Sequence, residues 1–313
     1  MTIDPFLEPL LPTLLSLPEV IDYPAMRAQG EVAAEALAAQ LCEPGPEVKE
    51  RRAISLPLEH GTIDLFIYFP FSETPHPAHI FLHGGGWTAG SIHQAAIDIA
   101  CRERCIGANC IVFSVNYRKA PENRFPTGLN DAYAALAWVA EHATELGVRP
   151  DRITIGGQSA GANLAAALTL KTRDEGGPRL AFQLLEVPAL DLTLEHVLQD
   201  YASGFGLSFN DMKICVRDYL FSPDEARHPY VSPLLAPDLS GLPPAFILTS
   251  ECDLLRGDGA AYAERLKAAN VLVQYYEGNG HIHGSSAFTK VMDSARVWRD
   301  QVVTALRLVN EQA

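Results

Sequence analysis

Short apolar runs alternate with helical stretches along most of this chain, and that alternation constrains its fold more than any other feature. TIDLFIYF, HIFLH, CIVFSVNY, RITIGG, FQLLEV, PAFILTS and VLVQYYE each read as strands. Between and after them, LNDAYAALAWVAEHATEL, ANLAAALTLKTRD, GAAYAERLKAA and SARVWRDQVVTALRLV place apolar residues at helical spacing. Parallel strands need a crossover long enough to bring the chain back, and a helix supplies it. The pattern therefore predicts an α/β fold with a mostly parallel sheet flanked by helices. Two segments depart from it. Residues 1–45 carry helical spacing, as in EVAAEALAAQL, and end at the breaker CEPGPE. Residues 191–225 contain no clear strand. We expect N-terminal helices over 1–45, a core over 46–190 and 226–313, and a helical insertion over 191–225. The two helical parts would form a cap over the sheet.

With 313 residues the chain can bury a large core without disulfides or metal. Its formal net charge of −14 repels phosphate backbones, so nucleic acid is not an expected partner. The six cysteines, Cys42, Cys101, Cys105, Cys110, Cys215 and Cys252, fit neither a disulfide scaffold nor a zinc pattern. Cys101 and Cys105 are four apart and would share a helix face, yet no histidines stand at ligand spacing. Buried free thiols are the expectation, in keeping with a reducing compartment. The first twenty residues are apolar but acidic and interrupted by prolines. They predict neither a signal peptide nor a membrane insertion, and the expected location is the cytoplasm.

GQSAG, residues 157–161, stands between the strand RITIG and the helix ANLAAALTLK. Strand, Gly-x-Ser-x-Gly and helix make a nucleophile elbow, with Ser159 on a strained turn and glycines relieving the crowding on either side. A small-residue turn is the plainer alternative. HGGGW, residues 83–87, follows the strand HIFL. Consecutive glycines let backbone N–H groups approach a ligand closely. Donors from Gly84, Gly85 and Gly86, together with the N–H of Ala160, would hold the oxyanion of an acyl-transfer intermediate. A phosphate loop is the rival, but no Lys completes a Walker pattern.

A serine hydroxyl needs a base, and the base needs an orienter. In this fold they follow in the order Ser, Asp or Glu, His. Asp253 follows the strand PAFILTS, at the end where ligands bind in open α/β sheets. Asp258 begins a helical run, and a helix N-terminus explains it. After VLVQYYE come His281 and His283 in GNGHIHGSS, and the residues alone leave these two nearly even.

HGGGW, GQSAGANLA, NYRKAPENRFP and DLLR from Asp253 together resemble the hormone-sensitive-lipase family of α/β-hydrolases, over roughly residues 55–310. GGQSAG, LKTRDEG, AFQLLEVPALD and the HGS at 283–285 are most similar to its bacterial heroin-esterase type. The resemblance implies an eight-stranded, mostly parallel sheet with a helical cap. Its catalytic histidine precedes glycine, which selects His283, and its carboxylate falls on Asp253. It implies a cofactor-free serine carboxylesterase acting on small acetyl or short- to medium-chain esters. An amidase or thioesterase using the same residues, or a non-catalytic binding module, are the alternatives. Three positions depart from the family pattern. Gln158 replaces an acidic residue that contacts the segment Ser232 to Leu234, Leu254 and Gly257 alter the Asp253 motif, and Ser285 replaces Phe.

For the smaller features the expectations are these. Trp87 and Gln158 would line the pocket, as would Tyr201, Phe205, Leu207 and Phe209 from the insertion. Tyr117, Arg118, Glu122 and Asp131 read as structural partners. The C-terminal helix would pack on the sheet, and a homodimer through it is conceivable.

Overall fold

The structure, a computed structural model, describes residues 3–13, 17, 21–195, 197 and 206–311. Eight strands form one sheet: β1 (Glu50–Leu58), β2 (Gly61–Phe69), β3 (His76–Leu82), β4 (Ile111–Asn116), β5 (Val148–Gln158), β6 (Phe182–Glu186), β7 (Ala245–Cys252) and β8 (Val273–Ile282). Their order is β1-β2-β4-β3-β5-β6-β7-β8. The pairs β1–β2 and β2–β4 are antiparallel and all the others parallel. The helices are α1 (Tyr23–Leu41), α2 (Ala95–Gly107), α3 (Thr127–Glu141), α4 (Ala143–Leu146), α5 (Ala160–Glu175), α6 (Phe209–Tyr219), α7 (Arg256–Ala268) and α8 (Asp293–Glu311). The seven strands read from the sequence are present, with boundaries moved by a few residues. The eighth, β1, was not among them. Most of ERRAISLPL is exposed at the sheet edge, and it carries charges and a proline, so it offers little apolar signal.

Burial explains the rest of the architecture. β3 is buried along its whole length, as a strand covered on both faces must be. α5 is buried on nearly every side, so ANLAAALTL needs no polar face. α8 instead buries a stripe through Ala295, Trp298, Val302, Ala305 and Leu306. Two apolar clusters result. One holds α3, α5 and α7 against the sheet, and the other holds α2 and α8. The parallel strands all end on one edge, and the loops that leave that edge carry the candidate site.

All six cysteines are buried and free, as the sequence led us to expect. Burial pushes the Cys101 and Cys110 thiols up to about 12. Among the described residues no helix is long and apolar enough to cross a membrane, and no group of three or more His, Cys, Asp or Glu could hold a metal ion.

Glu103, on α2, makes a testable exception to the rule that carboxylates stabilise folds. Burial pushes its carboxyl up from 4.5 to about 7, against the opposing pull of Arg104 and of Arg299, whose Nη1 is 3.6 Å away. The folded group holds its proton to higher pH than the unfolded one. Stability is therefore lost as pH rises from about 4.5 to about 7, by about 1–3 kcal/mol at completion. Glu103→Gln is expected to raise the melting temperature at pH 8 and to leave it nearly unchanged at pH 4.5. Equal shifts at the two pH values would show that burial does not raise this carboxyl's pKa on folding.

Candidate active site

Ser159 is the single residue between β5 and α5. Its φ of 53° and ψ of −117° lie where a side chain is strained, by about 1–3 kcal/mol. The turn closes only because the residues two positions away on either side, Gly157 and Gly161, lack side chains. A Cβ on Gly157 would sit 2.5 Å from the Leu82 carbonyl oxygen, and one on Gly161 only 2.1 Å from it. The strained residue is tied down by its own amide, which donates to the Glu186 carbonyl at 2.9 Å.

Asp253 and His283 stand immediately past the ends of β7 and β8. The Asp253 carboxylate is 2% exposed; its Oδ1 accepts from the Leu255 amide at 2.9 Å. Its Oδ2 lies 2.6 Å from His283 Nδ1, and His283 Nε2 lies 2.9 Å from Ser159 Oγ. A carboxylate only accepts, so Nδ1 carries the ring proton and Nε2 is left to accept from the serine hydroxyl. Gly284, at φ 81°, turns the chain away directly after the histidine.

The two rivals have other partners. His281 is fully buried, with Nδ1 2.8 Å from Ser285 Oγ and its ring 5.4 Å from that of Trp298. Burial lowers its pKa. Asp258 does lie in the first turn of α7, as expected, but it does more than sit at a helix end. Its Oδ2 accepts from the amides of Leu190 and Asp191 at 2.7 and 2.9 Å and so fixes the loop after β6.

The glycine loop leaves β3 at His83, whose ring stacks on Tyr117 at 4.3 Å. The Tyr117 hydroxyl donates to the His83 carbonyl at 2.8 Å. Burial pushes His83 down to about 3, so it stays neutral. A Cβ on Gly85, at φ 120°, would meet the Ala89 carbonyl oxygen at 2.3 Å, and one on Gly86 would meet Cys215 Sγ at 2.5 Å. Gly84, Gly85 and Gly86 line the same pocket as Ser159 and His283. Ala160 is the first residue of α5, where an N–H has no acceptor within the helix.

That pocket has a volume of about 380 Å3. Trp87, Gln158 and Leu207 are on its wall. Trp87 also packs the loop: its ring stacks on Tyr219 at 4.7 Å and its Nε1 donates to Asn163 at 3.2 Å. Phe209 is a correction. It is the first residue of α6 and packs against the core, while Asp211, Met212 and Cys215 of the same helix reach the pocket. Tyr201 and Phe205 lie outside the described residues. Leu17, Met26, Val187 and Ala189 also line the pocket and were not anticipated. The apolar i, i+3 pair Met212 and Cys215 was the readable signal for α6; Leu17 had none. A roomier, charged cleft of about 560 Å3 beside α1 includes neither Ser159 nor His283 in its walls.

Supporting residues behave as the sequence suggested. Arg118 pairs with Asp131, and Arg27 pairs with Glu122 while donating to the Thr88 and Ala120 carbonyls. The N-terminal segment is tied to α6 by the Tyr23 hydroxyl on Asp218 and the Leu17 amide on Asp211. Ser232 spends its hydroxyl on the Ala226 carbonyl and the Leu192 amide. Ser285, where the family pattern has Phe, is buried; it donates to the Ile282 carbonyl and accepts from the Ile282 amide, bracing the turn that carries His283.

Comparison with known proteins agrees with this geometry. The family with an alpha/beta hydrolase fold matches residues 79–287. Carboxylesterase NlhH of Mycobacterium tuberculosis is 41% identical over 236 residues, covering 74% of this chain and 73% of that protein. The crystal structure of EstE1, a thermophilic and thermostable carboxylesterase cloned from a metagenomic library, superposes with a TM-score of 0.88 at 36% identity, covering 95% of this chain and all of that one. A bacterial heroin esterase gives a TM-score of 0.88 at 34% identity, covering 99% of each chain. An eight-stranded sheet of this order, carrying a strained serine after β5 and matching named carboxylesterases over most of their length, places the chain in the α/β-hydrolase family, in its hormone-sensitive-lipase branch, as an ester hydrolase.

Proposed function

We propose that the protein is a serine carboxylesterase working through an acyl-enzyme, with Ser159 as nucleophile, His283 as base and Asp253 as orienter. The observation that carries the reading is the unbroken line from Asp253 Oδ2 to His283 Nδ1, at 2.6 Å, and from His283 Nε2 to Ser159 Oγ, at 2.9 Å. In the first step the hydroxyl proton passes to Nε2 as Oγ bonds to the ester carbonyl carbon. The carbonyl oxygen becomes an oxyanion, facing the amides of the Gly84–Gly86 loop and of Ala160. The imidazolium then gives its proton to the departing alkoxide, and the acyl group stays on Ser159. Water repeats the cycle with His283 as base and releases the acid. Asp253 keeps the ring in one tautomer and stabilises the charge it carries in between.

Helices α1 and α6 form the cap in this reading, and residues from both sides of it close the pocket. Walls of Leu17, Met26, Leu207 and Met212 around a volume of about 380 Å3 favour small esters with short- to medium-length acyl chains. A chain-length series of p-nitrophenyl esters, run beside a fluorophosphonate label, tests both parts. The label is expected on the peptide containing Ser159, and turnover is expected to fall once the acyl chain outgrows the pocket. An unlabelled serine would remove the nucleophile from this account, and rising turnover out to long chains would remove the size limit.

A further inference from the structure

On the α2 and α8 side of the sheet lies a buried ion pair that the steps above do not use. Arg104, on α2, is 4% exposed and Glu186, at the end of β6, is 2% exposed. Arg104 Nη2 donates to Glu186 Oε1, and Trp298 Nε1, on α8, donates to Oε2 at 2.8 Å. Two charges taken this far from water are costly, and a well-packed apolar pair of similar volume stabilises a core at least as well. Core stability alone gives no reason for an ion pair here.

The neighbours of the pair supply one. The Glu186 carbonyl is the acceptor for the Ser159 amide, at 2.9 Å. The Arg104 guanidinium lies 4.6 Å from the ring centroid of Phe81, two residues before His83 opens the glycine loop. The Trp298 ring packs 5.4 Å from that of His281, two residues before His283. It also fills the space over Gly278, where a Cβ would come within 2.8 Å of it. One residue therefore links, through its carbonyl and its carboxylate, the three segments that bear the serine, the glycine loop and the imidazole. A strained backbone such as that of Ser159 persists only where its surroundings over-determine it. Two donors from two different helices, fixed on one carboxylate, supply directional constraints that an apolar contact lacks.

We propose that Glu186 is a positioning residue for ester hydrolysis, setting the serine turn against the glycine loop and the His283 turn through Arg104 and Trp298. This rests on the roles given above to Ser159 and His283. The group touches no substrate; it acts through the backbone that holds those that do.

Three variants separate positioning from folding. Glu186→Gln keeps the volume but leaves the Arg104 charge uncompensated, so it reads stability and positioning together. The double variant Arg104→Met with Glu186→Leu removes both charges and keeps the core filled, and we expect it to melt close to the parent. Trp298→Phe deletes the N–H donor together with part of the ring that covers Gly278, so its melting temperature is read alongside. Turnover of p-nitrophenyl butyrate is measured per site titrated to completion with a fluorophosphonate, so that unfolded protein is not counted. The expected result for the double variant is a kcat per labelled site lower by roughly 10- to 100-fold, the effect of a small misplacement of reacting groups, with KM nearly unchanged. Trp298→Phe should fall in the same direction by less. Parental kcat per labelled site in a folded double variant would overturn the proposal. Should the double variant not fold, an unchanged kcat in Trp298→Phe overturns it instead. Parental turnover in Ser159→Ala, read per mole of folded protein, would instead refute the nucleophile on which the proposal rests.

Discussion

Ser159→Ala is expected to lower kcat for ester hydrolysis by about four to six orders of magnitude while leaving KM nearly unchanged. The substitution removes one oxygen, the atom 2.9 Å from His283 Nε2. It leaves the pocket walls, the glycine loop and the backbone of the turn in place. Substrate still binds, and the amides that face the oxyanion remain, so some acceleration over water survives. Alanine retains a Cβ, so the strain at φ 53° is kept and the melting temperature should stay within a few degrees of the parent. His283→Ala should cost a comparable factor, because a serine without its base is a weak nucleophile. The two losses should not add: the pair acts as one unit, and the double variant is expected to be about as slow as either single one. Steady-state kinetics on purified protein checks all three. Parental turnover in Ser159→Ala would end the serine mechanism, and additive losses would mean that the two residues act in separate steps.

Gly161→Ala is expected to be among the most destabilising single substitutions in the chain, at about 4 kcal/mol or more. The new methyl would lie 2.1 Å from the Leu82 carbonyl oxygen and 2.4 Å from that of His83. Both are backbone atoms, one at the end of β3 and the other at the start of the glycine loop, and no side chain can rotate away to make room. The first turn of α5 would have to lift off the strand. That opens the core beneath it and moves Ser159 relative to the glycine loop. A fall in melting temperature of about 8–15 °C, or loss of soluble protein, is the expected outcome, with reduced kcat in whatever folds. Gly30→Ala is the control. It lies within α1 with nothing inside 4 Å of its added Cβ, and an alanine in a helix is better than a glycine by about 0.5–1 kcal/mol. Gly30→Ala should therefore be neutral or stabilising. A Gly161→Ala protein that melts with the parent would show that the helix and strand are not in the tight contact described.

The core and the candidate site were legible in the sequence to different depths. Strands buried on both faces announce themselves as unbroken apolar runs, and β3 to β7 were read for that reason. β1 escaped because an edge strand needs no such run: only Leu56 in it is fully buried. GQSAG was legible because a strained serine tolerates only small neighbours, and HGGGW because a backbone that turns through φ 120° and 58° requires glycine. The choice between His281 and His283 was not legible from the residues alone. Residues two apart in a strand share a face, so alternation does not separate them; only the end of β8 at Ile282 sets one ring beside Ser159 and the other beside Ser285. The pocket wall was read poorly. Phe209 is large and apolar, yet it packs on the core while Met212 and Cys215 reach the cavity, and hydrophobicity alone does not tell the two placements apart.

The buried network is the extreme case. Arg104, Glu186 and Trp298 are separated by 82 and 112 residues, and each is an ordinary residue in its own segment. What the sequence by itself determined is whatever depends on local sterics and period: the alternation of strand and helix, the glycines that permit two tight turns, and the order of serine, aspartate and histidine. What only the tertiary structure decided is whatever depends on distance between remote segments. Hydrogen bonds and ion pairs act over about 3 Å, and a chain position carries no information about that distance until the sheet has brought its strand ends together.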